Sequence, residues 1–274
     1  MTSFHSEAAQ ALQARYGSDA LPGPLNDITA KLLEHRSVRS YASKPVEDEI
    51  LRVAVAAAQS ASTSSNLQVW SVVAVRDRAK LAKLGDLAGG QQHVIDAPLF
   101  LAWVLDLSRL RRLGEAVGTP AQATDYLEMY TVGAVDVALA AQNAAVAMES
   151  YGLGLVYIGG MRNHPEEAAE LLGLPQGCMV LFGMCVGYPD PALPADIKPR
   201  LPQSSVLHFE RYDPANETAE IEDYDARMKA FDESQQRKTR SWSHTATWRV
   251  RGPESLSGRD RLREALSNLG FELR

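Results

Sequence analysis

The chain has 274 residues, 45% of them hydrophobic, and a formal net charge of −6, enough apolar sequence to bury a full core as one large or two small domains. Its pI near 5.6 excludes a broad nucleic-acid surface and leaves local anion sites as the use for any basic cluster. The longest uninterrupted apolar run, Ala97 to Leu105, is about half of the roughly 20 residues a membrane span needs, and the N-terminus has no signal-peptide pattern; a globular, cytoplasmic protein with no membrane or nucleic-acid partner is expected.

Residues 1 to 34 read as helical, with a break at Leu21-Pro22-Gly23-Pro24 and a second helix from about Leu25 to Glu34. The run His35-Arg36-Ser37-Val38-Arg39 follows. In an extended backbone, His35, Ser37 and Arg39 share one side, with Arg36 and Val38 on the other, because side chains alternate. An imidazole, a hydroxyl and a guanidinium together suit a phosphorylated anion, since charge-assisted hydrogen bonds to phosphate are short and strong and Arg makes them in pairs. Alone, the same five residues also suit a solvated basic turn.

Pro45 fits a first helical turn. Val46, Ile50, Val53 and Ala57 recur at helical spacing, and Glu47, Asp48 and Glu49 are acids suited to the helix start. This helix runs into Ser60 to Asn66, too rich in short hydroxyls to continue it, and Val69 to Val75 then reads as a buried strand. A helix near Arg78 to Leu87 ends at Gly89-Gly90, a second strand covers Leu99 to Leu105, and Leu107 to Thr124 carries less pattern.

Residues 127 to 150 are the most helical and most apolar stretch. Val132, Val135, Leu139, Val146 and many alanines leave almost no polar face, which predicts a helix covered all round, at the centre of a large core or at a subunit interface. Leu155 to Ile158 reads as a strand ending in Gly159-Gly160, Pro165 to Leu172 as a short helix, and Met179 to Val186 as a strand. The glycines do not fit the GxGxxG of a doubly wound nucleotide fold. Cys178 and Cys185 lie in one apolar segment without CxxC or a histidine at ligand spacing, so neither a disulfide nor a metal site is expected and both read as reduced core thiols.

Beyond Tyr188, Pro-rich sequence leads to Lys198-Pro199-Arg200. Two cations separated by two positions share one side of an extended segment, and the intervening proline favours that form. A charged helical arm around Ile221 to Gln236, a basic loop and a last helix from about Arg259 to Leu269 complete the chain.

His35-Arg36-Ser37-Val38-Arg39, the hydroxyl run before Leu67-Gln68, Gly89-Gly90-Gln91, Gly152-Leu153-Gly154 through Tyr157-Ile158-Gly159-Gly160, and Lys198-Pro199-Arg200-Leu201-Pro202 occur in an order and at separations that resemble the nitroreductase superfamily. The resemblance is nearest to its oxygen-insensitive, NADPH-preferring branch, which includes flavin reductases. It covers about residues 25 to 274 as one FMN-binding domain with a C-terminal coenzyme loop and arm, and leaves residues 1 to 24 as an N-terminal helical extension.

The resemblance implies an α+β fold, a central, mainly antiparallel sheet wrapped by helices, working as an intertwined homodimer. It implies FMN as cofactor and NADPH as reducing co-substrate, with two electrons passed in a ping-pong sequence to nitroaromatics, quinones or flavins. The alternatives are an FMN carrier without turnover, or a reductase specialised for FMN or chromate. His35, Ser37, Lys198 and Arg200 would hold the FMN phosphate, and Arg39 would reach the ring edge, with Arg36 included in the cofactor-binding set. Thr63, Ser64 and Ser65 would reach the flavin, although a Ser-rich loop is also a common helix terminator. Gln91 would hydrogen-bond it, and Tyr157, Ile158, Gly159 and Gly160 would lie against it. No side chain is expected to act as catalytic acid or base, since the flavin carries the chemistry, and His93 reads as a surface or capping residue. Arg237, Lys238 and Arg240 resemble the basic loop that recognises the coenzyme 2′-phosphate, three cations in four residues suiting a dianion; a solvated charge run fits them equally well.

Overall fold

The computed structural model describes residues 2–17 and 23–274. In chain order its main elements are α1 (Thr2–Tyr16), α2 (Asp27–Leu33), α3 (Asp48–Gln59), β1 (Trp70–Val75), α4 (Arg78–Leu87), α5 (Gln92–Ile95), β2 (Leu99–Asp106), α6 (Ser108–Val117), α7 (Leu127–Ser150), β3 (Gly154–Ile158), α8 (Pro165–Leu172), β4 (Cys178–Gly187), α9 (Glu217–Ser234), α10 (Trp242–Arg249) and α11 (Leu262–Asn268). They group into two compact units, Met1–Arg36 with Asp196–Leu256, and Ser37–Ala195 with Ser257–Arg274.

The larger unit is built on a four-stranded antiparallel sheet of order β1-β2-β4-β3. Every residue of β2 is buried. Leu99, Leu101, Trp103 and Leu105 enter one core with Val137, Ala140, Ala141 and Ala144 of α7, while Phe100, Ala102 and Val104 enter another with Leu81 and Leu84 of α4 and Ala168 of α8. Coverage on both faces is why β2 is a continuous apolar run and not an alternating one. The β2–β4 register slips where Trp103 pairs with Phe182 and Val104 with Val180, leaving Leu181 as the extra residue of a bulge. Cys178 and Cys185 are buried free thiols, and burial pushes them up to about 11 and about 12 respectively.

Helix α7 departs from its expected all-round cover. Gly133, Val137, Ala140, Ala144 and Met148 are buried, and Gly133 lets the helix close on Leu105, whose Cγ would stand 2.7 Å from any added Cβ. Val135 and Leu139, on the opposite side of the helical period, are 53% and 43% exposed. A single chain thus covers one side only, which removes the centre-of-core reading. By length and composition α7 could cross a membrane, but its packed alanines are those of a core helix.

One expected boundary shifts and two helices lie where none was expected. Helix α3 begins at Asp48, not at Pro45; the Glu47 carboxylate instead meets Lys44 at 3.0 Å and accepts from the Tyr188 hydroxyl at 2.8 Å. The stretch read as weakly patterned contains α6, which is strongly amphipathic but polar overall, with Ser108 and Gly114 buried, Leu110 against the core and Leu113 exposed. Helix α10 follows the basic loop and is capped by Ser241, whose hydroxyl accepts from His244 N.

In the smaller unit, α1 packs on α2 and buries Ala8 and Ala11. Asn26 and Thr29 form a capping box at the start of α2. Of the expected break before it, Leu21 and Pro22 lie outside the described residues, and Gly23 to Asn26 is non-helical. Tyr224 on α9 meets Trp242 of α10 edge-on at 5.4 Å.

A Cβ at Gly183 would collide with the Phe100 ring. Gly183→Ala in this buried strand is expected to destabilise the protein by about 1–3 kcal/mol, the usual range for overpacking, read as a lower thermal midpoint. An unchanged midpoint would show that Phe100 has room to move.

Candidate functional site

The smaller unit holds three of the phosphate-binding candidates. His35, half-buried, lies just past the end of α2, and Lys198 and Arg200 flank the buried Pro199. Exposed, buried, exposed is the alternation expected of an extended Lys-Pro-Arg. Arg200 turns back on its own backbone, its Nη1 donating to Lys198 O at 3.3 Å and to Pro199 O at 3.1 Å. Arg36 is exposed and donates to Glu34 O at 3.1 Å, capping the end of α2, so it does not pair with Val38 on a common inward side. The alternation starts one residue later. The chain passes into the larger unit at Ser37, which bridges in parallel to Leu155; Val38 N donates to Leu155 O at 2.9 Å, Val38 is buried, and Arg39 is exposed.

The larger unit holds further candidates, and the Arg39 charge reaches Tyr41 and His93. The Tyr41 hydroxyl donates to Val38 O at 2.7 Å. Burial chiefly raises the Tyr41 phenol, with Arg39 pulling the other way. At the end of α4, Gly89 and Gly90 take φ of +91° and +72°, a left-handed turn that glycine makes at little steric cost. Gln91 follows; its Nε2 donates to Ala88 O at 2.7 Å, leaving Oε1 as the side chain's acceptor.

The end of β3 gives its two glycines different reasons. A Cβ on Gly160 would stand 2.5 Å from Ala88 O and 2.8 Å from Gln91 Nε2, so Gly160 is required by packing. A Cβ on half-buried Gly159 would make only an ordinary 3.4 Å contact with Arg162 Nη2, so Gly159 is the one whose backbone stays approachable. Ile158 is buried in the core, paired with Gly183 of β4. The Tyr157 ring meets Phe182 edge-on at 5.3 Å, and its hydroxyl donates to Gln142 Oε1 at 3.2 Å.

The hydroxyl run depends on a residue that the sequence pattern did not single out. Asp136 of α7, 1% exposed, accepts from the Thr63 hydroxyl, from Ser64 N at 3.2 Å and from Val69 N at 3.4 Å. Gln68 N in turn donates to Thr63 Oγ1 at 3.0 Å. The hydroxyl of Thr63 is therefore committed to the loop, whereas Ser64 and Ser65 are exposed. Ser65, Asn66 and Gln68 hold φ of 49°, 56° and 52°, left-handed conformations that cost a non-glycine residue of order 1–3 kcal/mol each and that concentrate at functional sites. The signal for Asp136 was an acid in the middle of a helix whose other two acids, Glu128 and Glu149, lie at its ends.

Arg237, Lys238 and Arg240 are exposed on the connection between α9 and α10. Gln236 turns the chain with φ of 52°, and Arg237 N donates to Asp232 O at 2.9 Å. On the far side, Ser243 N donates to Asp225 Oδ1 at 2.9 Å. The loop is thus anchored at both ends, and among the described residues none of its three cations is ion-paired. No group of three His, Cys, Asp or Glu among the described residues is arranged to hold a metal.

These donors suit a flavin mononucleotide. In the smaller unit, His35, Lys198 and Arg200 are groups of the type that could hold a dianionic phosphate; in the larger, Arg39, Gln91 and Gly159 are a cation, an amide and an approachable backbone of the type that could hold a flat ring with polar edges.

The Nitroreductase family model matches residues 32–188, and that of the family's C-terminal domain matches residues 198–274. The chain is 40% identical to an NADPH-flavin oxidoreductase of Vibrio harveyi over 230 residues, covering 83% of this chain and 92% of that protein. It is 42% identical to an oxygen-insensitive NADPH nitroreductase of Salmonella typhimurium over 186 residues, covering 68% and 75%. The structure of NfrA2 from B. megaterium aligns with a TM-score of 0.85 at 36% identity, covering 91% of this chain and all of the other.

Burial first, and then the Arg39 charge, lower the His93 imidazole below its ordinary value. A depressed histidine is neutral at pH 7, and the folded state loses stability as pH falls below the unfolded value toward the folded one. An NMR titration of His93 should give a midpoint below that of a free histidine. Arg39→Gln should raise it without restoring it fully, because burial remains. A midpoint insensitive to Arg39→Gln would contradict their proximity.

Proposed function

Since the chain belongs to the nitroreductase family, we propose that the residues assembled above hold an FMN and select its coenzyme and are those on which its turnover depends. The protein is an FMN-dependent NAD(P)H oxidoreductase. Bound FMN supplies the redox chemistry, accepting two electrons from the reduced coenzyme and passing two to an acceptor in a separate half-reaction.

The chain's own residues do the binding and orienting. In the smaller unit, His35, Lys198 and Arg200 grip the phosphate. In the larger, Ser37 offers a hydroxyl to the cofactor, and Arg39 offers a cation of the kind that stabilises negative charge built up on reduction, which favours the reduced form. Gln91 offers its amide, Ser64 and Ser65 their exposed hydroxyls, and Tyr157 to Gly160 the backbone at the end of β3, with Gly159 the point of nearest approach. Thr63 acts indirectly, by holding the loop to Asp136. Arg36 keeps to the surface beside the phosphate segment. No side chain is needed to move a proton. Residues 25–274 act as one functional domain with an N-terminal extension.

The coenzyme is NADPH, and the observation that carries this is the anchored, exposed loop whose Arg237, Lys238 and Arg240 lack ion-pair partners among the described residues. NADPH differs from NADH only in the 2′-phosphate, so a preference must come from cations able to reach it. The acceptors are small molecules, nitroaromatics, quinones or flavins. The exposed Val135 and Leu139 on an otherwise apolar helix support a homodimer; the acidic chain with its packed α7 supports a cytoplasmic enzyme without nucleic-acid or membrane partners.

Anaerobic stopped flow should therefore show faster reduction by NADPH than by NADH. The preference should shrink when Arg237, Lys238 and Arg240 are all replaced by Gln, and also as salt is raised, because an exposed loop is screened. Equal rates with the two coenzymes in the unaltered protein would remove the loop assignment and leave the flavoenzyme intact.

A further inference from the structure

Arg15 lies near the end of α1, before the first residue matched by the family model, and is 5% exposed. Its guanidinium spreads over two chain segments that are remote in sequence. Nε donates to Leu33 O at 2.9 Å, Nη2 to His35 O at 2.6 Å and Nη1 to Lys198 O at 3.3 Å. Its backbone continues the link, since Arg15 O accepts from Arg200 N at 2.9 Å and from Arg227 Nη1 at 3.0 Å. That same Nη1 reaches Arg200 O at 3.2 Å. One residue therefore binds the main chain on which His35 is mounted to the main chain on which Lys198 and Arg200 are mounted.

We infer that Arg15 is a positioning residue that fixes these two segments at the spacing a phosphate requires, and so sets the preference for phosphorylated over unphosphorylated flavin. The inference rests on the phosphate assignment made above. A rigid planar fork with five N–H donors can hold three carbonyls in one arrangement, which a flexible ammonium cannot. Cations placed in advance bind an anion more tightly than the same cations on independently moving segments, because less freedom is lost on binding. Arg15 acts through the backbone, where the side chains of Lys198 and Arg200 act on the ligand. The adjacent supports belong to the same device: the Tyr224 hydroxyl donates to Pro199 O at 3.2 Å, and Arg227 is braced by Asp223 at 3.0 Å.

The test compares FMN and riboflavin affinities, by flavin fluorescence, for the full chain and for Arg15→Lys, Arg15→Gln and Arg200→Ala. Arg15→Lys keeps the charge and approximate length, so it reports loss of the fork even if Arg15→Gln fails to fold; thermal midpoints accompany both. For both Arg15 variants FMN affinity should fall about tenfold or more, the scale of one lost charge-assisted hydrogen-bond arrangement. Riboflavin affinity should stay within about twofold, since riboflavin has no phosphate to be gripped. Equal losses for both flavins would assign Arg15 to general stability and overturn the inference, as would unchanged FMN binding. If Arg200→Ala loses FMN selectively while Arg15→Lys does not, the inference alone fails. If the unaltered chain binds the two flavins equally, the phosphate assignment fails and takes this inference with it.

Discussion

Covering β2 on both faces is the constraint from which the larger unit follows. A strand with all eight residues buried needs a helical layer on each side, so α7 and α3 close one face and α4 and α8 the other. Close approach sets the choice of small residues, with Gly133 under Leu105 and Gly183 under Phe100. The same layers place the candidate site. The far end of α4 carries Gly89 to Gln91, β3 next to β4 carries Tyr157 to Gly160, and α7 sends its one buried acid into the hydroxyl loop. Strong packing in the sheet holds the loops at its edges in conformations that isolated peptides would leave, the left-handed Ser65, Asn66 and Gln68 among them.

The electrostatics follow a different logic from the packing. A chain of net charge −6 nevertheless keeps particular cations outward, at Arg39, at Lys198 and Arg200, and at Arg237 to Arg240. Exposed cations on an acidic chain mark local sites that attract anions. The backbone beneath them is immobilised by other arginines. Arg15 and Arg227 donate to carbonyls, so the smaller unit uses these guanidinium groups for scaffolding.

Much of this was legible in the residues. The boundaries of α4, α7 and α8 match the periodicity, since those helices have a buried face or firm punctuation at Gly89, Gly152 or Pro165. The strands were legible as apolar runs, but not their order, which depends on pairings between distant segments. Helix α6 was missed because its buried positions are Ser108 and Gly114, not large apolar residues, and α10 because none of its residues is fully buried. In the candidate site, the readable motifs were those whose side chains carry charge, hydroxyl or amide groups at regular spacing. What escaped notice were supports that act through backbone: Asp136, whose three partners are a hydroxyl and two amides, and Arg15, whose partners are carbonyls. Any residue type offers those partners, so no spacing rule reveals them. The reason given for Gly160 also changed, from ligand approach to packing against Ala88.

The central claim is that this chain is built around FMN. The most direct measurement is the visible absorption and flavin content of the purified protein, before and after anaerobic NADPH. A yellow protein with about one FMN per chain, whose visible absorption is lost on adding NADPH and recovered on adding a quinone, is the outcome expected of a flavin that carries the redox chemistry. A colourless preparation that takes up no added FMN would contradict the account.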